Sequence, residues 1–439
     1  MENNDLINLV RNTIKWIDDL SVPPSNYPSN WTELKEVQLA HIYLLDKLLE
    51  QNFTIPQYKN ERGIVIGAGG AKYFGCAFAC ANILRNVGCK LPIEFWYLDE
   101  YEMDNSMKQI CDKFDINYVN AAQYCKNNNL SPRILNGWEL KPFATLHSSF
   151  KEVLYLDADN IPVKDPTYLF EYKQYKDLGA IFWPDLPPNR RKEWLPAICW
   201  NNVGLEYRDE PDFETGQYLI NKEKCFVPLN MTMWMNEHSD WFYKFVFGDK
   251  STFHLAWRKC NFDYCIPAKP AGWRRPAILQ YDLNNDLIFQ HACQGKELIF
   301  SGKGPTNQIN HHLITQAYEE RSKYWSGSIY SWVEMNTEEK QIAQTLIGKY
   351  NYIRVNLGNR ILELKDEGII GEGQASCERR WSVRVIDNIP TIICIGAAHK
   401  GSEIAMFFAK DDGSGKIFNG KWTSFEKCDI ILERLNNGH

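Results

Sequence analysis

What this sequence lacks already narrows what it can be. It has no sustained Lys/Arg block, and its acidic residues outnumber its basic ones, 55 to 49, for a net charge of −6. That excludes the electrostatic footprint of a nucleic-acid binder. No stretch reaches the ~18 consecutive apolar residues that would call for a membrane-spanning helix. The N-terminus, MENNDLINLVRNTIKW, has no basic region followed by an apolar core, so a standard export signal is not read there. The 13 cysteines are odd in number, scattered, and never spaced Cys-x-x-Cys. This argues against a disulfide framework or a zinc clip and for a reducing compartment. Cys76 and Cys80, four apart, read as two small buried helix residues. The expectation is a soluble cytoplasmic protein with no integral membrane segment. Neither an internal repeat nor a long low-complexity linker is present.

Against those absences, aromatic residues are abundant at 13%. Packing is the ordinary use of flat rings; stacking on a sugar or a base is the functional one. With 439 residues, the chain is long enough for more than one domain. Residues 1–55 read as an N-terminal helical cap: Leu6, Leu9, Val10 and Ile14, then Leu39, Ile42, Leu45, Leu48 and Leu49, recur at helical spacing. A break at Val22–Ser29 separates the two runs. Residues 56–305 alternate strands and helices, the pattern of an α/β domain with a mostly parallel sheet. Residues 306–370 read as a helical connection, with Val333–Asp366 as its second helix. Residues 371–439 read as a small antiparallel β domain, with Asp411–Gly415 as a hairpin turn.

The α/β domain opens with a strand at Ile64–Ile66, a glycine-rich turn at Gly67–Gly70 and a helix at Phe74–Leu84. Glycines there let backbone approach a ligand, but neither the dinucleotide fingerprint nor a phosphate loop is spelled out. A second strand, Pro92–Asp99, ends on an acidic residue.

The centre of the sequence is Lys151–Pro166, KEVLYLDADNIPVKDP. Its apolar run Val153–Leu156 predicts a buried strand, with Asp157 and Asp159 at the carboxyl end, where open α/β sheets place ligands. Asn160, Lys164 and Asp165 read as the polar turn that follows. Two carboxylates one residue apart repel unless a cation joins them, and a divalent metal is the usual solution. Each acidic site has a bland reading as a solvated turn, and a lone His or Lys is more often structural than functional. The collinear order of the parts is what points to group transfer from a nucleotide diphosphate. A metal held by Asp157, Asp159 and His291 would absorb the charge growing on the leaving diphosphate, assisted by Lys296. Mn2+ suits this mixed oxygen and imidazole set, with Mg2+ as the alternative. Asp185, Glu214, Gln217 and Asp249 are the candidates for binding sugar hydroxyls or serving as base or nucleophile.

The segments RGIVIGAGG…ILRNVGCKLPIEFWYL, GWELKPFA…EVLYLDADNIPVKDP, GAIFWPD, FETGQYLINK and GDKSTFHLAWR together resemble the fungal Golgi α-mannosyltransferase family and its bacterial relatives. The resemblance runs from about Arg62 to Lys296. More loosely, DAD, FWPD, GDK and the His291–Lys296 segment are similar to glycogenin-like transferases. The resemblance implies a GT-A-like core, a mixed and mostly parallel sheet flanked by helices, with a metal-bound nucleotide-sugar donor and retention of anomeric configuration. It makes Asp157, Asp159 and His291 metal ligands. It places Lys141, Lys250 and Lys296 at the donor, and Asp185, Glu214, Gln217 and Asp249 around the sugar and acceptor. Gly67, Ala68, Gly69, Gly70, Tyr73 and Asp99 would face the nucleotide by position. GDP-mannose is the implied donor and a UDP-hexose its competitor; the acceptor would be a glycan or another hydroxyl compound. A nucleotidyltransferase or nucleotide-sugar pyrophosphatase, and a carbohydrate-binding scaffold with an inactive core, are the alternatives. The C-terminal region is a candidate oligomerisation surface.

Overall fold

The computed structural model describes residues 31–188, 193–327, 329, 334–355, 357–397, 403–422 and 429–435. The first helical run expected in the cap, Leu6 to Ile14, lies outside the described residues. The second is the helix Trp31–Leu49, which packs on the helix Phe226–Glu237.

The centre is a six-stranded sheet in the order β3-β2-β1-β4-β7-β6. It is made of β1 (Asn60–Gly67), β2 (Ile93–Tyr97), β3 (Asn117–Asn120), β4 (Phe150–Leu156), β6 (Ala180–Pro184) and β7 (Phe213–Asn221). The pairs β1/β2, β2/β3 and β1/β4 are parallel, while β4/β7 and β6/β7 are antiparallel. This is the mixed, mostly parallel sheet flanked by helices that the resemblance implies. The unbroken apolar run of β4 follows from its place, since this central strand is covered on both faces. Leu154 and Leu156 face one core with Phe74, Cys76, Phe78 and Cys80 of the helix Ala71–Asn86. Val153 and Tyr155 face the other, with Phe143 of the helix Leu140–His147 and Trp257 of the helix Lys250–Lys259. The alternation is the two-residue period of a strand, and each such side chain contributes on the order of 2 kcal/mol by leaving water.

A second sheet, of four strands, has the order β5-β10-β9-β8. It comprises β5 (Asn160–Pro162), β8 (Gly272–Arg274), β9 (Ala277–Tyr281) and β10 (Leu287–His291). Its antiparallel register sets His291 opposite Asn160, carrying the histidine to the acidic end of β4.

The helical reading of 333–366 needs correction. Val333 lies outside the described residues, and the helix is confined to Thr337–Leu346. The chain then forms β11 (Gly348–Arg354) and β12 (Gly358–Leu364). Tyr350, Tyr352, Leu362 and Leu364 are buried at every second position, a strand period masked by the long polar side chains between them. These strands join β13 (Glu378–Ile386), β14 (Ile389–Ala397), β15 (Glu403–Asp411), β16 (Ile417–Trp422) and β17 (Asp429–Arg434) in one seven-stranded sheet. The β unit thus begins at Gly348, not at 371, and Ala343 and Leu346 of the preceding helix belong to its core. The Asp411–Gly415 hairpin is as expected: the Asp411 carboxylate accepts from the backbone N–H of Gly413 and Gly415. One face of this sheet meets the α/β domain, with Tyr101 against Phe408 at 5.0 Å between ring centroids.

Candidate active site

Asp157 and Asp159 follow directly on the buried end of β4. The Asp157 N–H donates to Gly216 O on β7 at 2.8 Å, and the Ala292 N–H to Asp159 O at 3.0 Å, so the turn is tied to both sheets. Asp159 is 1% exposed, which removes the reading of that residue as part of a solvated turn, while the Asp157 side chain is half-buried. His291 Nε2 lies 3.5 Å from Asp159 Oδ1 and 3.6 Å from Asp157 Oδ2. The three residues offer ligand atoms that all lie within 4.8 Å of one another.

Two lysines flank the cluster. Lys296 Nζ donates to Asp159 Oδ2 at 2.6 Å. Lys141 Nζ, from the helix Leu140–His147, lies 3.1 Å from Asp157 Oδ1 and 3.2 Å from Asp249 Oδ2, and donates to Thr215 O at 3.0 Å. Burial by itself would raise the Asp159 carboxyl, but His291 and Lys296 hold it well below the usual range. Burial would discharge Lys141, yet Asp157 and Asp249 keep it cationic far above its ordinary value. For His291 burial is likewise outweighed, by Glu214 and Asp159, and its basicity is raised.

Glu214 and Gln217 set the histidine. The His291 Nδ1–H donates to Glu214 Oε1 at 2.9 Å, an oxygen that also accepts from the Gly216 N–H at 2.9 Å. Gln217 Nε2 donates to Glu214 Oε2 at 2.7 Å. These partners outweigh burial and bring the Glu214 carboxyl down to about 2. The arrangement depends on a bulge in β7: Phe182 pairs with Tyr218 and Trp183 with Glu214, leaving residues 215–217 unpaired with β6. A bulge re-aims side chains, and here it gathers Glu214 and Gln217 under the histidine. At Gly216 a Cβ would stand 2.3 Å from His291 Nδ1, so only glycine admits the ring.

With Nδ1 committed to Glu214, Nε2 is left buried without a hydrogen-bond partner, facing two carboxylates. A buried polar atom in that state asks for an additional partner. Imidazole plus carboxylate oxygens, with the second ring nitrogen anchored on an outer carboxylate, is a donor set that fits Mn2+ or Mg2+.

The remaining expected residues divide. Asp249 lies in the cluster, accepting from Thr215 Oγ1 at 2.9 Å; burial first, and Asp157 second, raise its carboxyl despite Lys141. Asp185 and Lys250 pair with each other instead, and Lys250 lies 3.8 Å from Asp212. Lys250 is thus placed on a carboxylate pair of its own rather than on Asp157 or Asp159. Tyr73, 45% exposed, follows the turn of Gly67, Ala68, Gly69 and Gly70, within electrostatic reach of Lys296 and Asp159. Asp99 accepts from the Tyr101 N–H at 2.9 Å.

Three contributors were not legible as such in the sequence. Asn160 closes the expected turn, its N–H donating to Asp157 O at 3.0 Å, but it is buried, its side chain donating to Gly216 O at 3.1 Å and Gln217 Oε1 at 2.9 Å. Glu102 caps the glycine turn: its carboxylate accepts from the Leu98 N–H at 2.7 Å and its carbonyl from the Gly70 N–H at 2.9 Å. Thr215 bridges Lys141 and Asp249. Only Asn160, inside the Asp-x-Asp-Asn string, carried a signal that could have been followed.

A family model described as "Mannosyltransferase putative" matches residues 61–211 and 205–280. The chain belongs to this mannosyltransferase family. Both aspartates and the whole β7 bulge fall inside the matched stretch, while His291 lies beyond it. Among curated relatives of this family member, Alpha-1,2-mannosyltransferase MNN2 of Candida albicans is 35% identical over 306 residues, covering 54% of this chain and 51% of that protein. Alpha-1,2-mannosyltransferase MNN5 of Saccharomyces cerevisiae is 27% identical over 341 residues, covering 62% and 58%. The chain thus spans about half the length of the curated relatives it matches. Among solved structures, the mannosyltransferase Ktr4p of S. cerevisiae is similar at 13% identity and a TM-score of 0.30, over 57% of this chain and 80% of that one.

Proposed function

We propose that this chain is a metal-dependent, retaining glycosyltransferase that moves mannose from GDP-mannose to a hydroxyl of a glycan. The observation that carries the reading is the buried Nε2 of His291, which lacks a hydrogen bond and lies 3.5 Å from Asp159 and 3.6 Å from Asp157. Membership of the mannosyltransferase family supports the sugar, and the names of the curated relatives support α-linkage.

A divalent cation held by Asp157, Asp159 and His291 would offset the charge that grows on the leaving diphosphate. Lys296 and Lys141, each already on one of the two aspartates, add fixed positive charge on either side of the same position. Glu214 has both oxygens engaged, so its role is to hold the tautomer and angle of His291. Asp249 is the carboxylate assigned to the sugar, where it would stabilise positive charge at the anomeric carbon or attack it. Gly67–Gly70, Tyr73, Asp99 and Glu102 form the edge assigned to the nucleotide. The cytoplasmic setting is part of the same proposal. Its support is that every cysteine among the described residues is a free thiol, most of them buried. No helix among the described residues is long and apolar enough to cross a membrane.

The test is a panel of nucleotide-sugars with Mn2+, read as release of nucleoside diphosphate and transfer to a mannoside. GDP-mannose is expected to give the highest rate, and Asp159→Ala to abolish it. A UDP-hexose turning over faster would correct the donor. Release of pyrophosphate or nucleoside monophosphate would assign a different reaction class, and glycan binding without turnover a binding protein.

A further inference from the structure

Beside the metal cluster, the surface carries two large aromatic side chains that the described core leaves uncovered. Trp138 is 54% exposed and Phe247 78% exposed, and their rings lie 5.9 Å apart at 40°. Trp138 also touches Tyr243, at 5.9 Å between centroids, whose hydroxyl donates to Asn236. We propose that Trp138 and Phe247 form the platform on which a sugar ring of the acceptor glycan stacks. This rests on the transferase reading of the site.

Three observations favour a sugar as the occupant. The platform is continuous with the catalytic cluster on both strands of chain that form it. Trp138 O accepts from the N–H of Lys141, whose ammonium reaches Asp157 and Asp249. Phe247 is followed by Gly248 and then Asp249 itself. Gly248, at φ +68°, packs close against Trp138: a Cβ there would stand 2.7 Å from the indole. The loop that carries Asp249 is thus packed against the ring.

The second observation is a carboxylate with spare capacity. Glu139 is 3% exposed, yet its Oε2 has no hydrogen-bond partner. It sits beside Gly137 and acts electrostatically on Tyr243, as Asp249 does. A buried acceptor oxygen next to exposed rings is suited to a ligand that brings both C–H faces and O–H donors. A sugar does; an apolar protein segment brings no donor for Glu139.

The third is the neighbouring charge. Glu139 adds a carboxylate to a side of the site where Lys141 is already shared between Asp157 and Asp249, which suits a neutral polyol and disfavours an anionic acceptor.

Trp138→Ala and Phe247→Ala remove exposed side chains and are expected to fold. Initial rates with acceptor and GDP-mannose each varied in turn should show the KM for methyl α-mannoside or an α-linked mannobiose raised about tenfold or more, with the donor KM moved far less. Trp138→Phe should recover part of the loss. Equal shifts in both KM values, or no shift in the acceptor KM, would overturn the platform. A change in oligomeric state by analytical ultracentrifugation with an unmoved acceptor KM would overturn it in favour of self-association. If the wild-type chain turns over no nucleotide-sugar, the transferase reading fails on its own. Saturation-transfer NMR with the same two mannosides then decides. Contact signals lost in the double variant support the platform, and equal or absent signals in both proteins reject it.

Discussion

His291 and Glu214, on strands of two different sheets, are joined through Nδ1–H and Oε1 at 2.9 Å, which turns Nε2 of the same ring toward Asp157 and Asp159. Replacing Glu214 by Gln keeps the shape but gives Nδ1 a weaker acceptor and removes the outer charge. Mn2+ affinity, measured by titration calorimetry or electron paramagnetic resonance, should fall about 10- to 100-fold. If Glu214 touched the sugar alone, Mn2+ affinity would stay put and only turnover would fall.

Gly216→Ala is the steric counterpart. Its Cβ would meet His291 Nδ1 at 2.3 Å, so the ring must leave its place or β7 must shift. The expected result is loss of Mn2+ binding together with a stability loss on the order of 1–3 kcal/mol from overpacking. Intact Mn2+ binding in this variant would show that His291 is not held where the register puts it.

Lys296→Met removes the cation on Asp159 while keeping an unbranched side chain one atom shorter. Because the ion pair is internal to the site, the donor KM should rise and kcat fall together, by about tenfold or more. Thermal stability should fall as well, because Asp159, 1% exposed, loses one of its two cationic partners. A variant with normal donor kinetics would place Lys296 outside the donor site.

A pH effect is expected far from the site. His41, stacked on Trp241 at 5.0 Å with Nδ1–H donating to Val37 O at 2.8 Å, has its pKa pushed down to about 4, first by burial. His238 also lowers it and Asp240 opposes. The unfolded chain therefore takes up a proton below about 6.5 that the folded chain refuses until about 4. Stability is fully present above 6.5 and declines as pH falls toward 4, by about 3 kcal/mol at most. Melting curves of wild type and His41→Phe between pH 7 and 4.5 check this: the variant should lose less on acidification. Parallel losses would assign the acid sensitivity elsewhere.

Much of the α/β core was legible because its signals are local. A continuous apolar run closed by Asp-x-Asp reads as a buried strand whose acidic end is a site, and β4 is that strand. The Gly-rich turn before a small-residue helix reads in the same way. The β11–β12 hairpin was not legible, because Asn351, Arg354, Arg360 and Glu363 interrupt its buried tyrosines and leucines and hide the two-residue period. Only pairing with β17 makes the two-residue period decisive.

The sequence by itself determined which groups are available: two carboxylates one residue apart, a histidine at a strand end, lysines on both sides, and a family's order of motifs. What only the tertiary structure decided is which of them meet. Asn160, read as a polar turn residue, is buried where that turn closes, and Glu214, read as a base, nucleophile or sugar-binding carboxylate, accepts from a histidine. Lys250 looked like a donor cation and neutralises Asp185 and Asp212. The physical reason is that strand register and a bulge, not spacing along the chain, set where a side chain points. Residues 159 and 291 are brought to 3.5 Å by the pairing of two strands that the sequence does not mark as partners.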